Sequence, residues 1–125
     1  MIQDQELRDL FKAESEEHLQ TLDDGLLHLE TSPGDAETLA EVFRAAHSLK
    51  GSARMLEVQS VEVLAHRFED RLGEAKNGTA ALSADEFDRL YAALDSIRLL
   101  VKEATTGTPS GIDPRQVRRR DVAEL

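Results

Sequence analysis

The sequence predicts an all-α protein, an up-down antiparallel four-helix bundle followed by a C-terminal linker or short extra helix. Three observations carry this prediction. Apolar residues return at steps of three and four in four separate stretches, which marks four amphipathic helices. Clusters of Gly, Pro, Ser, Thr and Asn separate those stretches. Aromatic residues make up only 4% of the 125 residues, tryptophan is absent, and no alternating strand pattern competes. Connections of about 2–8 residues favour antiparallel neighbours, and a bundle buries all four apolar stripes at once.

The first helix is predicted from about Asp4 to Glu30, with Leu7, Leu10, Phe11, Leu19, Leu22, Leu26 and Leu29 on one stripe and acidic residues on the other faces. Thr31-Ser32-Pro33-Gly34-Asp35 breaks it. Leu39, Val42, Phe43, Ala46, Leu49 and Ala53 restart the helical period and define the second helix, which carries His47. The pattern loses phase from Met55 to Gln59, and Ser60 is the expected cap of a third helix with the stripe Val61, Leu64, Ala65, Phe68, Leu72 and Ala75. Asn77-Gly78 is expected to end it through a left-handed cap. Ser83 with Glu86 three residues later forms a capping box, and Phe87, Leu90, Tyr91, Leu94, Ile97, Leu100 and Val101 define the fourth helix.

From Gly107 the text becomes Gly-Thr-Pro-Ser-Gly-Ile-Asp-Pro, followed by Arg118-Arg119-Arg120, with apolar residues too sparse to pack. Residues 1–106 are therefore assigned to the bundle and 107–125 to a linker or tail leading toward further domains of a longer parent chain.

Fifteen Lys and Arg against 25 Asp and Glu give a formal charge of −10, which opposes binding to nucleic acid or to anionic membrane surfaces. The absence of cysteine excludes disulfides, thiolate nucleophiles and zinc-thiolate sites, and fits a reducing compartment. No apolar run approaches the roughly 18 residues of a membrane span, so no membrane insertion is expected, and the N-terminus is acidic where a signal peptide is basic. The expected location is the cytoplasm.

On a helical wheel His47 lies away from the apolar arc, with Arg44, Lys50, Gly51 and Arg54 beside it. No acidic residue occurs between Glu41 and Glu57, so these cations form an island that would attract a phosphoryl group. Gly51 costs a helix interior about 1 kcal/mol relative to alanine, and with Ser52 it leaves bare backbone one turn from the imidazole. Two readings fit these residues: an ordinary surface histidine on a tolerant helix, or a phosphohistidine open to a partner's active site.

The run Phe43-Arg44-Ala45-Ala46-His47-Ser48-Leu49-Lys50-Gly51-Ser52-Ala53 resembles the His-x-x-Lys-Gly signature of histidine phosphotransfer (HPt) domains, most closely the N-terminal HPt domain of CheA-type chemotaxis kinases. The likeness extends to Phe11, Glu14, Glu17, Leu19, Leu26, Leu27, Leu29 and Glu30 in the first helix, and to His66-Arg67-Phe68-Glu69 and Gly78. It covers roughly residues 5–105. The pattern departs from the family at Ser52, where a second glycine is expected, and at Arg54 and Met55, where small residues often stand.

The resemblance implies that His47 accepts the γ-phosphoryl group of ATP from a histidine kinase catalytic domain and passes it to an aspartate of a response-regulator receiver domain. ATP and Mg would then belong to the partner kinase domain, and the isolated domain would hold no cofactor and be no enzyme. In keeping with this, the sequence has no glycine-rich phosphate loop. Carried over by position, His47 matches the phosphorylated histidine, Lys50 the lysine beside it, and His66 and Glu69 the polar pair on the next helix. Glu69 would accept the Nδ1–H and leave Nε2 as nucleophile. His66 would share that carboxylate or touch the phosphoryl group. Arg44, Gly51, Ser52 and Arg54 are the expected docking residues.

A di-iron carboxylate bundle would use Glu-x-x-His pairs, yet Ser15, Gly25, Arg44 and Val63 stand three residues before the four histidines, so no metal site is expected. A phosphorylation-independent interaction or dimerisation module is the alternative reading, and it leaves the cationic island and the His-x-x-Lys-Gly run without a use.

Overall fold

The structure, a computed structural model, describes residues 1–113, which contain four helices and no strand. Helix α1 spans Gln5–Thr31, and the Asp4 carboxylate caps it by accepting the Leu7 N–H at 3.0 Å. Helix α2 spans Ala36–Met55. Its cap, Asp35, accepts from the Glu37 N–H and the Thr38 hydroxyl and lies 2.7 Å from Nε2 of His28, tying the end of α1 to the start of α2. Those hydrogen bonds, Thr38 first and His28 next, hold the Asp35 carboxyl below its usual range.

Helix α3 spans Gln59–Lys76, so it begins one residue before the expected cap, Ser60. The reason lies at the end of α2. Glu57 adopts φ 60°, the Glu57 N–H reaches the Arg54 carbonyl, and the Val58 N–H reaches the Ala53 carbonyl at 2.8 Å. This Schellman turn places Val58 in the cap position with no side-chain cap and leaves no room for Ser60 to serve. The same motif closes α3 around Gly78 (φ 75°), as the Asn77-Gly78 pair predicts: the Gly78 N–H donates to Ala75 and the Thr79 N–H to Glu74.

Helix α4 spans Ala84–Thr106 and starts with the expected capping box, Ser83 and Glu86 each accepting the other's backbone N–H. Glu86 does more than cap. It pairs with the buried guanidinium of Arg71, which also donates to the Ala80 and Ala81 carbonyls and so pins the α3–α4 connection. The Arg71 hydrogen bond is the main cause that lowers the Glu86 carboxyl to about 2.

Each helix packs beside its sequence neighbours, and α4 closes the ring against α1. The Ile2 N–H donates to the Ala104 carbonyl, so α1 and α4 run antiparallel; Arg98 meets Asp23 at 3.1 Å along the same seam. The core contains Phe11, Leu22, Leu26, Leu29, Val42, Leu49, Leu64, Phe68, Leu72, Leu90, Leu94 and Ile97. Where α1 crosses α2, Gly25 is buried, and a Cβ there would stand 2.1 Å from Val42 Cγ1. That close approach is why a glycine occupies a helix interior.

Leu7 and Leu10 depart from the predicted stripe, being 44% and 54% exposed. They stand five full turns before Gly25 and His28, the residues with which α1 meets α2. Helix α2 turns back at Leu56, after Ser52 has met Glu14 at 3.4 Å, so the first two turns of α1 have no neighbour on that side. Phe43 also leaves the core stripe and is only partly buried. Beyond Gly107 (φ 78°) the chain carries no helix to Asp113, but it does touch the bundle: Ile112 packs on the core and Ser110 bonds to Glu103 through its N–H, at 3.0 Å, and its hydroxyl. This corrects the expectation that the tail is too sparse to pack. The expected short helix and the run Arg118–Arg120 lie outside the described residues. No described helix is long and apolar enough to cross a membrane.

Candidate functional site

The antiparallel pairing of α2 and α3 sets three polar side chains against one another near the middle of the bundle. Lys50 lies one turn along α2 from His47, and Glu69 projects from α3, next to the buried Phe68. His47 Nδ1 is 2.5 Å from Glu69 Oε2, and Lys50 Nζ donates to Glu69 Oε1 at 2.9 Å. The His47 side chain is 65% exposed while that of Glu69 is only 12% exposed. Burial raises the Glu69 carboxyl, but the hydrogen bonds from Lys50 and His47 outweigh it and leave the group below its usual range.

An ionised carboxylate can only accept, so the ring nitrogen facing it must donate. A neutral imidazole here therefore carries its proton on Nδ1 and presents the Nε2 lone pair on the exposed side. Phe43, one turn before His47, stacks near-parallel with the imidazole at 6.5 Å between centroids, and Lys76 sits 5.4 Å over the Phe43 ring. Gly51 lies one turn after His47 on α2, and a Cβ there would meet no atom within 4 Å. Nothing within the described chain requires a glycine there.

The structure thus joins three of the expected residues, His47, Lys50 and Glu69, into one network. His66 lies beside it, with a ring nitrogen within 4.8 Å of a Glu69 oxygen. Its Nε2 faces Asp70 Oδ1 at 3.5 Å, one turn along α3, and the Glu69 oxygens are already taken up by His47 and Lys50. Arg44 and Arg54 are exposed on α2, Arg54 lying 3.9 Å from Glu62, and the Ser52 hydroxyl donates to Glu14. The cationic island of the α2 sequence is therefore less positive in space, because α3 sets Glu62 and Glu69 beside it. His66, Glu69 and Asp70 bring three potential metal-ligand atoms within 4.8 Å of one another, although Glu69 already serves two cations or donors.

Sequence reasoning missed Phe43 and Asp70 as neighbours of the site. The i, i+4 spacings Phe43–His47 and His66–Asp70 were the available signals, since such pairs meet on a helix surface.

A helical bundle that exposes one imidazole nitrogen and holds the other with a nearly buried carboxylate defines a class: a scaffold organised around a single presented histidine. Residues 6–100 match the Hpt domain family, and the chain belongs to it. It is similar to the chemotaxis protein CheA of Halobacterium salinarum, with 38% identity over 93 residues, 74% of this chain but 14% of that protein. The chain therefore spans about a seventh of that relative's length. The CheA phosphotransferase domain from Thermotoga maritima superposes with a TM-score of 0.74 at 37% identity, over 80% of this chain and 96% of that one. The phosphorylated P1 domain of CheA3 in complex with CheY6 from R. sphaeroides gives a TM-score of 0.74 at 26% identity, over 98% of this chain and all (100%) of the other.

Proposed function

We propose that this domain is the phosphoacceptor of a chemotaxis-type histidine kinase, with His47 as the residue that carries the phosphoryl group. The observation that supports this most directly is the His47–Glu69 pair, which fixes the imidazole as the Nδ1–H tautomer and leaves Nε2 free to react.

In this reading Nε2 attacks the γ-phosphorus of ATP held with Mg by a separate kinase catalytic domain. The Nε2–P bond forms as the bond from phosphorus to the ADP oxygen breaks, and ADP leaves. Positive charge develops on the ring and is stabilised by the Glu69 carboxylate. Transfer onward reverses the logic: a receiver-domain aspartate attacks phosphorus, the N–P bond breaks, and the electron pair returns to Nε2. Lys50 holds Glu69 at rest and lies one turn from the nitrogen that bears the phosphoryl group, where its ammonium can stabilise phosphoryl oxygens. Arg44, Gly51, Ser52 and Arg54 form the face on which partners dock. His66, paired with Asp70, flanks the site. In this reading the domain supplies the acceptor, and the separate kinase catalytic domain supplies the nucleotide site.

The test is labelling by a cognate kinase domain with γ-labelled ATP. The parent domain should gain an acid-labile, base-stable phosphoryl group, and His47→Gln should fold and gain none. Labelling retained in that variant would move the acceptor elsewhere, and an unlabelled parent would leave a phosphorylation-independent module.

A further inference from the structure

The Phe43 ring packs against the edge of the core and also reaches past it to the functional histidine. It is only partly buried, and it lies 16° from parallel with the imidazole four residues on. Helical side chains lean toward the N-terminus of their helix, so His47 leans over the turn that holds Phe43. The ring also meets α3 at Gly73, where a Cβ would lie 3.2 Å from Phe43 Cε2, and Lys76 sits over the ring at 5.4 Å. Glycine is a poor helix former, yet one occupies the interior of α3 at this point. Its side-chain-free backbone is what lets the Phe43 ring settle against α3 while it lies near-parallel to the imidazole.

We infer that Phe43 is a positioning residue for His47, seated by Gly73 and acting together with Glu69. Glu69 fixes the ring nitrogen that is protonated, but a single hydrogen bond leaves the imidazole free to swing about the Nδ1–carboxylate contact. The Phe43 ring closes one side of that swing. With that side closed, Nε2 is presented in one orientation, and a Cβ at Gly51, one turn further along α2, would meet open space. Rate depends steeply on such orientation, because an attacking lone pair must align with the phosphorus. This inference rests on His47 being the acceptor, but its first readout does not.

The experiment uses the 125-residue chain in four forms: parent, Phe43→Leu, Phe43→Tyr and Gly73→Ala. Nitrogen and proton NMR of the His47 imidazole reports tautomer and ring order without any kinase, and initial labelling rates with a kinase domain report chemistry. Phe43→Leu should leave the Nδ1–H tautomer in place, reduce the order of the imidazole ring and slow labelling by about 3- to 10-fold, whereas Phe43→Tyr, which keeps the ring, should match the parent in both. Gly73→Ala separates positioning from folding. It should hold or raise the melting temperature, since alanine favours the helix, while displacing Phe43 and slowing labelling. Unchanged imidazole signals in both Phe43→Leu and Gly73→Ala would overturn the inference, as would rate losses that follow the melting temperatures. If the parent itself takes no label, the functional reading fails, and the imidazole spectra still decide whether Phe43 orders the ring.

Discussion

Lys50 reaches Glu69 at 2.9 Å through the carboxylate oxygen that His47 leaves free. One carboxylate thus joins the expected acceptor and the expected helper, and its two oxygens do separate jobs. Glu69→Gln keeps an acceptor for Nδ1–H but removes the charge that supports a developing imidazolium. Phosphorylation should slow roughly 10-fold, equivalent to about 1.4 kcal/mol, with the fold intact. Initial rates with a kinase domain and a melting curve check both parts.

Lys50→Ala should behave differently. Glu69 loses one of the two interactions that offset its burial, so its carboxyl should rise, yet it still holds Nδ1–H. Labelling should fall through weaker phosphoryl-oxygen stabilisation, and its dependence on pH between 6 and 9 should stay closer to the parent's than that of Glu69→Gln. Rate profiles for the three proteins decide the matter, and identical profiles for the two variants would remove the distinction.

The two helix-interior glycines on the α1–α2 pair should respond in opposite ways to alanine. Gly25→Ala forces a methyl to within 2.1 Å of Val42 Cγ1 and should destabilise the bundle by about 1–3 kcal/mol. Gly51→Ala meets open space and should stabilise it by up to about 1 kcal/mol, while slowing phosphotransfer because partners approach there. Urea unfolding of the two variants gives the sign directly.

The Arg71–Glu86 pair makes the α3–α4 connection sensitive to acid. The Glu86 carboxyl is depressed from 4.5 to about 2, so its contribution to stability is complete above pH 4.5 and is lost as pH falls through 2. Glu86→Gln should be less stable than the parent at pH 7, and the gap should narrow steadily between pH 4.5 and 2. A gap that stays constant over that range would show that the pair contributes nothing through its charge.

Removing the chain after Thr106 should cost a small but measurable amount, about 1 kcal/mol, because Ile112 leaves the core surface and Glu103 loses Ser110. Thermal melts of residues 1–106 and 1–125 provide the comparison.

The four helices were legible in the sequence, because apolar spacing, the Ser83 cap and the Gly78 stop are local signals that act within a turn or two of chain. It also singled out His47, Lys50 and Gly51 as one patch, since those residues share a single helix and its 3.6-residue period. Tertiary structure decided what lies across the helix boundaries. The resemblance pointed to Glu69, but only the antiparallel register of α2 and α3 brings its two oxygens to His47 and Lys50. The same register sets Gly73 of α3 beneath Phe43 of α2, whereas His66 and Asp70 meet within α3 by the local i, i+4 spacing. Leu7 and Leu10 carry a perfectly good helical stripe, and they are exposed only because α2 ends before reaching them. Periodicity records which side of a helix is apolar; how far its neighbour extends, and which side chain meets it there, is set by the lengths and crossings of whole helices.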